Sequence, residues 1–372
     1  MLVDVEVWTS SEAEAEPIEG VQVKSAFSLG KRSGVRGIIG SMNLADARGE
    51  LPTAIVLQFN QFSWGKWGLN LYLPRVMQEV KRRWPQVRIA VMFHEKIVPA
   101  DTWKFRVMRL WQTWQYNKLA DAADLCFYSI QRWADEERLR SPGGACFHLP
   151  VGSNLPDCIR PRNEVRNGLG LSPNDVVLGV FGGAHPSRLI GHIAAAVEGV
   201  WREYKNAKLL IVGSGGGPLL GALRAANCKM PAIDVGYQLP APASEVVASM
   251  DLMLAPFSDG LTTRRGSAMA ALQQGVALLS TDGRLTGEML RAENERSLLL
   301  TPAGDRQAYA ERAVRLLSRP EAAGEIGLAG EAFYRERFDW PVLARKLSLY
   351  LIPSRAPDPQ DSSSHELTRD PC

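Results

Sequence analysis

Val176-Val-Leu-Gly-Val-Phe-Gly-Gly-Ala-His-Pro-Ser-Arg188 is followed by a helical pattern, Leu189–Tyr204, and then by a second apolar run, Leu209–Val212, that exits into Gly213-Ser-Gly-Gly-Gly217. Short runs with no polar residue suit strands buried on both faces, and a helix between two of them makes a βαβ unit. The alternation continues in both directions. Strand candidates upstream are Val3–Trp8, Ile55–Phe59, Arg88–Phe93, Leu125–Ser129 and Cys146–Val151. Downstream they are Ala232–Val235, Leu252–Ala255, Ala277–Ser280 and Ser297–Leu300. Helical patterns fall between them at Leu73–Trp84, Lys104–Ala122 and Arg306–Leu317. This is the pattern of an α/β fold with parallel sheets and helices on both faces.

A chain of 372 residues is long for one domain, so two are expected. The alternation breaks at Asp157–Asn174, a polar stretch rich in Pro, Arg and Asn, which reads as a linker. Pro353–Cys372 reads as a disordered tail. Apolar content of 45% supports ample cores, and a net charge of +3 is too small to argue for nucleic acid. The five cysteines are scattered with no CxxC pair, as in reduced cytosolic proteins. There is no run of eighteen apolar residues and no basic, apolar leader at Met1–Trp8, so a soluble cytosolic protein is expected.

Open parallel sheets bind ligands beyond the carboxyl ends of their strands. Three such exits in the second half carry anion-binding chemistry. Gly182 and Gly183 lead to Ser187 and Arg188, and Gly213 and Gly215 leave the next strand. Ala255-Pro-Phe-Ser-Asp-Gly-Leu-Thr-Thr-Arg-Arg-Gly-Ser267 then joins a strand to a helix. Exposed amides at a helix start attract anions, glycine allows close approach, and Arg264 and Arg265 offer charge-assisted bonds. A polar loop capped by Ser or Thr has the same composition. The dinucleotide fingerprint GxGxxG with a later acidic strand end is not met, and no Walker lysine follows the glycines.

Taken in order, Phe93-His-Glu95, Pro150-Val-Gly-Ser-Asn154, Val180-Phe-Gly-Gly183, Leu210-Ile-Val-Gly-Ser-Gly215, Gly236-Tyr237 and Pro256–Thr281 resemble the GT-B glycosyltransferases, specifically the retaining, family-4-like group that uses nucleotide sugars. The resemblance covers roughly residues 1 to 350. It implies two Rossmann-like domains facing across a cleft. Residues 1–158 would form the acceptor side, 159–174 the linker and 175–352 the nucleotide-sugar side, its last helix crossing back. It also implies that Gly183 and Arg188 grip the donor diphosphate; Gly182, Ser187, Gly213, Gly215, Thr262, Thr263, Arg264, Arg265, Gly266 and Ser267 are further donor-binding candidates. Tyr237 would lie near the base. Most members carry two glutamates before the helix that ends here at Gly275; the matching positions are Thr262 and Ala270, neither acidic. The chain resembles a variant with Asp-Gly-x-x-x-Arg-Arg-Gly-Ser, in which Asp259 replaces one carboxylate.

On the first half, His94 and Glu95 end a strand, and the resemblance makes His94 the contact to the donor sugar, with Glu95 orienting it or holding an acceptor hydroxyl. Asn60, Trp64 and Trp67, within Gln58–Gly68, suit stacking on an acceptor glycan; a loop packed down by its own aromatics reads the same way. From Glu79 to Lys118 nine basic residues stand against three acidic ones, with Trp84, Trp103, Trp111 and Trp114 interleaved. Buried tryptophans on a solvated basic helix are the preferred reading; peripheral contact with an anionic inner membrane face, to reach a lipid-linked acceptor, is the other. The family's opening strand and glycine loop have no counterpart in this reading, because no strand is expected before the glycines at 30, 34, 37 and 40. The implied activity is hexose transfer with retention from a UDP- or GDP-linked sugar to a glycan or lipid-linked acceptor, without metal or other cofactor, in cell-surface polysaccharide or glycoconjugate synthesis. A non-catalytic nucleotide-sugar-binding protein and a nucleotide-sugar epimerase share the same features.

Overall fold

The computed structural model describes residues 4–14, 19–29, 33–97 and 102–352. Its contacts divide the chain into two units, one of residues 1–127 and 344–372, the other Tyr128–Leu343. The expected tail, Pro353–Cys372, and Gly30 lie outside the described residues.

The first unit opens with a two-stranded parallel sheet, β1 (Glu6–Ser10) and β2 (Gln22–Phe27), followed by α1 (Gly37–Arg48). A four-stranded sheet has the order β3 (Ala54–Phe59), β4 (Arg88–Phe93), β5 (Leu125–Tyr128) and β6 (Cys146–His148). The unit boundary falls within β5. Helices α2 (Tyr72–Arg83), α3 (Trp103–Ala122), α4 (Gln131–Arg140) and α5 (Arg162–Gly168) occupy the connections and the segment after β6. Strand β2 corrects the expectation that no strand precedes the glycines at 34, 37 and 40. Its residues Gln22, Lys24 and Ser25 are exposed, so it shows no apolar run. Gly34 and Gly37 then lie so close to it that a methyl on either would stand 2.2 Å from Ser28 O or 2.3 Å from Ala26 O. The first strand begins at Glu6, three residues later than expected.

The second unit is built on six parallel strands in the order β12-β11-β10-β7-β8-β9. They are β7 (Val176–Phe181), β8 (Ala207–Val212), β9 (Ala232–Gly236), β10 (Leu252–Ala255), β11 (Ala277–Asp282) and β12 (Leu299–Pro302). The helices are α6 (Ile190–Glu203), α7 (Gly216–Ala225), α8 (Pro240–Ala248), α9 (Gly266–Gln273), α10 (Glu288–Ala292), α11 (Arg306–Leu317) and α12 (Pro320–Arg337); the unit boundary falls within the last helix, α13 (Trp340–Leu351).

Residues alternate between two cores, as the period-two geometry of a strand requires. Leu209 and Ile211 of β8, and Leu252 and Leu254 of β10, face α6 and α11 through Ile193, Val197, Val200 and Tyr309. Leu210, Val212, Met253 and Ala255 face the opposite layer, with Val246, Val247, Ala268 and Phe333 from α8, α9 and α12. Because both faces are covered, these strands read as continuous apolar runs.

The segment expected to be a plain linker holds α5. Arg166 on this helix is buried and docks on the sheet, donating from Nε to Ser249 O at 2.9 Å and from Nη2 to Asp251 Oδ2 at 2.9 Å. The same Asp251 oxygen accepts Val177 N–H at 2.7 Å. The charged docking residue gave the segment a polar appearance. Strand order reverses between β7 and β10, which is where an open α/β sheet leaves a crevice for a ligand.

Candidate functional site

The loops at that crevice interlock through glycine. Gly182 and Gly213 adopt φ of +108° and +106°, a region that favours glycine. Gly182 N–H donates to Val212 O at 2.8 Å and Gly213 N–H to Gly236 O at 2.7 Å. A methyl on Gly213 would stand 2.8 Å from Gly182 O, and one on Gly215 2.9 Å from the same oxygen. These two glycines therefore hold the β8 exit against the β7 exit. Gly183 differs: a methyl there would meet only Ser214 Oγ, at 3.4 Å, and Gly183 is exposed. Gly266, at the start of α9, faces open space.

Between the β7 and β10 exits the chain makes a second set of ties. Leu189 N–H donates to Pro256 O at 3.1 Å and Ser258 N–H to Ser187 O at 2.8 Å. Ser187 and Arg188 thus lie just ahead of α6, in a turn pinned to the β10 loop. Arg265 adds side-chain bonds: its Nη2 donates to Ser187 Oγ at 2.8 Å and to Asp259 Oδ1 and Oδ2 at 2.7 and 2.9 Å. Its guanidinium lies 4.2 Å from the Phe257 ring centre, and Arg264 lies 5.4 Å from that of Trp133. Arg264 Nη2 is 3.6 Å from Asp259 Oδ2. Asp259, expected to stand in for a sugar-binding carboxylate, has both oxygens engaged by arginine.

Arg188 is arranged differently. It is 8% exposed, and one nitrogen, Nη2, donates to Phe181 O at 2.7 Å. Among the described residues, its Nε and Nη1 have no hydrogen-bond partner. Burial lowers its pKa from the ordinary value, and nearby Tyr309 pulls it back up. A buried cation with two unanswered donors beside Gly182 is an arrangement that an anion completes, since unpaired buried donors are costly.

The remaining expected residues divide by role. Thr262 is fully buried, and its hydroxyl lacks a partner among the described residues. Thr263 Oγ1 donates to Ser129 O at 2.5 Å and lies 2.9 Å from His148 Nε2. With the hydroxyl proton committed to a carbonyl, His148 Nε2 must carry the hydrogen in the second bond. Ser267 lies near Gly182, whose built methyl would be 3.6 Å from Ser267 Cβ. Tyr237 is 78% exposed, at the exit of β9. Nothing in the sequence marked His148, Ser129 or Trp133 as neighbours of the arginine loop, because they are more than a hundred residues away. His185 also went unmarked: its Nδ1 takes Ser187 N–H at 3.1 Å and lies 2.7 Å from Ser187 Oγ.

In the first unit, His94 Nε2 lies 2.7 Å from Gln58 Oε1, and its backbone N–H donates to Phe59 O. Burial lowers its pKa, and the charge of Glu95 opposes that shift. Asn60 accepts Phe62 N–H at 3.1 Å as a cap, and Trp64 stacks on Phe27 at 5.2 Å while donating Nε1–H to Gln58 O. These two residues brace their loop. Trp67 is 66% exposed with φ of +59°. On α3, Trp103, Val107 and Leu110 are 72%, 46% and 74% exposed, so the reading of buried tryptophans fails at Trp103, while Trp84 is buried and Trp111 and Trp114 are half-buried. The helix packs its other side inward, through Met108, Gln112, Gln115, Tyr116 and Leu119. Among the described residues no group of three or more His, Cys, Asp or Glu is placed to hold a metal ion, and no helix is long and apolar enough to cross a membrane.

Residues 175–319 match the family model described as Glycosyl transferases group 1. No curated protein matches this sequence significantly. Among solved structures, sucrose-phosphate synthase from Thermosynechococcus elongatus is similar with a TM-score of 0.68 and 17% identity, over 92% of this chain and 87% of that one. Anabaena HepE, in complex with UDP and glucose, has a TM-score of 0.61 and 16% identity, over 89% and 85%. WaaG, a glycosyltransferase involved in lipopolysaccharide biosynthesis, has a TM-score of 0.62 and 11% identity, over 94% and 91%. The fold is that of the GT-B glycosyltransferases, residues 175–319 match the group 1 glycosyltransferase model, and the two together support a glycosyltransferase enzyme.

Proposed function

We propose that the chain transfers a hexosyl group, with retention, from a UDP- or GDP-linked sugar to a glycan or lipid-linked acceptor in cell-surface polysaccharide or glycoconjugate synthesis. The observation that carries this reading is Arg188, a buried arginine with two unanswered nitrogens at the sheet's switch point. The diphosphate supplies acceptor oxygens for Nε and Nη1, and the exposed amide region at Gly183 lies at the same strand exit. Fixed positive charge there stabilises the nucleoside diphosphate as it leaves the sugar carbon. The acceptor hydroxyl then forms the new bond on the face the leaving group vacates, the bond from sugar carbon to phosphate oxygen breaks, and the hydroxyl proton passes to an oxygen of the departing diphosphate. In the first unit, His94, whose pKa burial lowers, offers a hydroxyl group a polar contact rather than a charge. HepE was solved with UDP and glucose, which makes UDP the first nucleotide to try.

Calorimetric titration with UDP and GDP, followed by a sugar-release assay on the matching nucleotide sugar, tests the reading. Binding of one diphosphate, lost in Arg188→Ala together with turnover, is the expected result. Binding that ignores Arg188→Ala overturns it. Retained binding without turnover on any nucleotide sugar favours a non-catalytic nucleotide-sugar-binding protein.

The exposed face of α3 supports peripheral contact with an anionic membrane. Trp103, Val107 and Leu110 project beside Lys104, Arg106 and Arg109, and Trp67 is exposed in the loop that accepts the Trp111 Nε1 hydrogen bond. Sedimentation with vesicles containing anionic lipid checks this. A Trp103→Ser/Leu110→Ser variant is expected to stay in the supernatant, and co-sedimentation equal to the parent's removes the proposal.

A further inference from the structure

Asp259 connects the arginine loop to the loop of Arg188 through a continuous line of bonds. Both of its oxygens accept from Arg265 Nη2, and that nitrogen also donates to Ser187 Oγ at 2.8 Å. Arg265 is 8% exposed and its guanidinium lies over the Phe257 ring, 4.2 Å from the ring centre, which restricts its freedom to turn elsewhere. Ser187 Oγ accepts from Arg265, which leaves the hydroxyl proton for His185 Nδ1, 2.7 Å away. Ser187 N–H donates to the same Nδ1 at 3.1 Å, and a backbone N–H is a donor only. His185 Nδ1 is therefore bare, and the neutral ring carries its proton on Nε2. Ser187 immediately precedes Arg188, and its carbonyl is held by Ser258 N–H at 2.8 Å.

We propose that Asp259 is a positioning residue: through Arg265 and Ser187 it fixes the loop of Arg188 and sets the proton on His185, and it does not itself touch the ligand. The inference rests on the reading that this pocket takes a nucleoside diphosphate. The opposing possibility is that Asp259 accepts hydroxyls of the ribose or the sugar directly, as the absent glutamates would. The two differ in which part of the ligand is affected. A residue that positions cations weakens any diphosphate, whereas a ribose or sugar contact leaves bare pyrophosphate untouched.

The experiment titrates the full chain, Asp259→Asn and Ser187→Ala with UDP and with inorganic pyrophosphate. The ring-nitrogen NMR signals of His185 are recorded without ligand. Asp259→Asn is expected to weaken both probes by the same factor, about tenfold, the scale of one charge-assisted bond. Ser187→Ala weakens both in the same proportion to each other, and the double variant is no weaker than Asp259→Asn alone, because the two act on one line of bonds. The His185 Nδ1 signal shifts in both single variants. Should Asp259→Asn not fold, Ser187→Ala carries the comparison, since it strands no buried charge. Loss confined to UDP, or effects of the two substitutions that simply add, overturns the proposal, as does an unmoved His185 signal. A parent chain that binds neither UDP nor GDP nor pyrophosphate, yet shows the His185 response, brings down the diphosphate reading while the positioning role of Asp259 stands.

Discussion

Beyond the carboxyl ends of β7 and β10, three arginines and one carboxylate are packed among glycines, with Arg188 and Arg265 each 8% exposed. Beyond β3 and β4 the charged residues, Lys66, Glu95 and Lys96, are exposed or half-buried, and His94 Nε2 lies 2.7 Å from the Gln58 amide oxygen. Both sets of loops leave parallel strands, so backbone geometry alone does not separate them. What separates them is the charge that can be held out of water. The first set holds buried cationic charge, which an anion would answer, and the second offers directional donors and acceptors of the kind hydroxyl groups need.

The sharpest way to break this contrast is at the glycine seam beneath the anion site. Gly213→Ala forces a side chain onto a φ of +106° and a methyl to 2.8 Å from Gly182 O. A stability loss of about 2–4 kcal/mol in chemical denaturation is expected. Gly183→Ala, where the built methyl meets only Ser214 Oγ, is expected to cost less than about 1 kcal/mol. If both cost the same, the seam is not what holds the loops.

Arg188→Met separates function from stability. Removing a buried cation with two unanswered nitrogens is expected to leave the melting temperature unchanged or raised. UDP affinity falls by about 10- to 100-fold, the range of one to two charge-assisted bonds. A variant that melts lower and binds normally would make Arg188 a structural residue.

On the neutral side, pH dependence sharpens the comparison. The folded pKa of His94 lies below its ordinary value because burial disfavours the charged ring. The unfolded chain therefore takes up the proton first as pH falls. Stability is intact above about 6.5 and declines as pH drops toward the folded pKa. His192, whose pKa is also lowered chiefly by burial, contributes in the same direction from the second unit. Melting profiles between pH 5 and 8, roughly the range in which imidazoles titrate, should be flatter for His94→Gln than for the parent. A profile that keeps its full slope would remove the burial argument.

The smallest effect is expected at Trp67. Its backbone sits at φ of +59° and its ring is exposed, so Trp67→Gly relieves a left-handed conformation without uncovering a core. Stability should change by less than about 1 kcal/mol, with a gain favoured. Vesicle or acceptor binding should fall in the same variant. A clear stability loss would instead make the ring a packing element.

Much of this molecule was legible from residue order. The bounds expected for Arg88–Phe93, Val176–Phe181 and Leu252–Ala255 coincide with β4, β7 and β10, because strands buried on both faces have uninterrupted apolar sequences. Strand β2 escaped notice because Gln22, Lys24 and Ser25 are exposed, and α5 because its docking residue, Arg166, is charged. Asp259 is the instructive case within the site. The resemblance implied a ligand contact for it, yet its oxygens are engaged by Arg264 and Arg265.

Apolar periodicity determined that the chain forms parallel sheets, and glycine-rich strand exits marked the strand ends at which the arginines gather. Those are properties of neighbours along the chain. That Arg188 is buried with two nitrogens unanswered among the described residues, and that Thr263 meets His148 and Ser129 across more than a hundred residues, only the tertiary structure decided. Hydrogen-bond satisfaction is a count over everything within about 3 Å of an atom, and most of what surrounds a buried atom is remote in sequence.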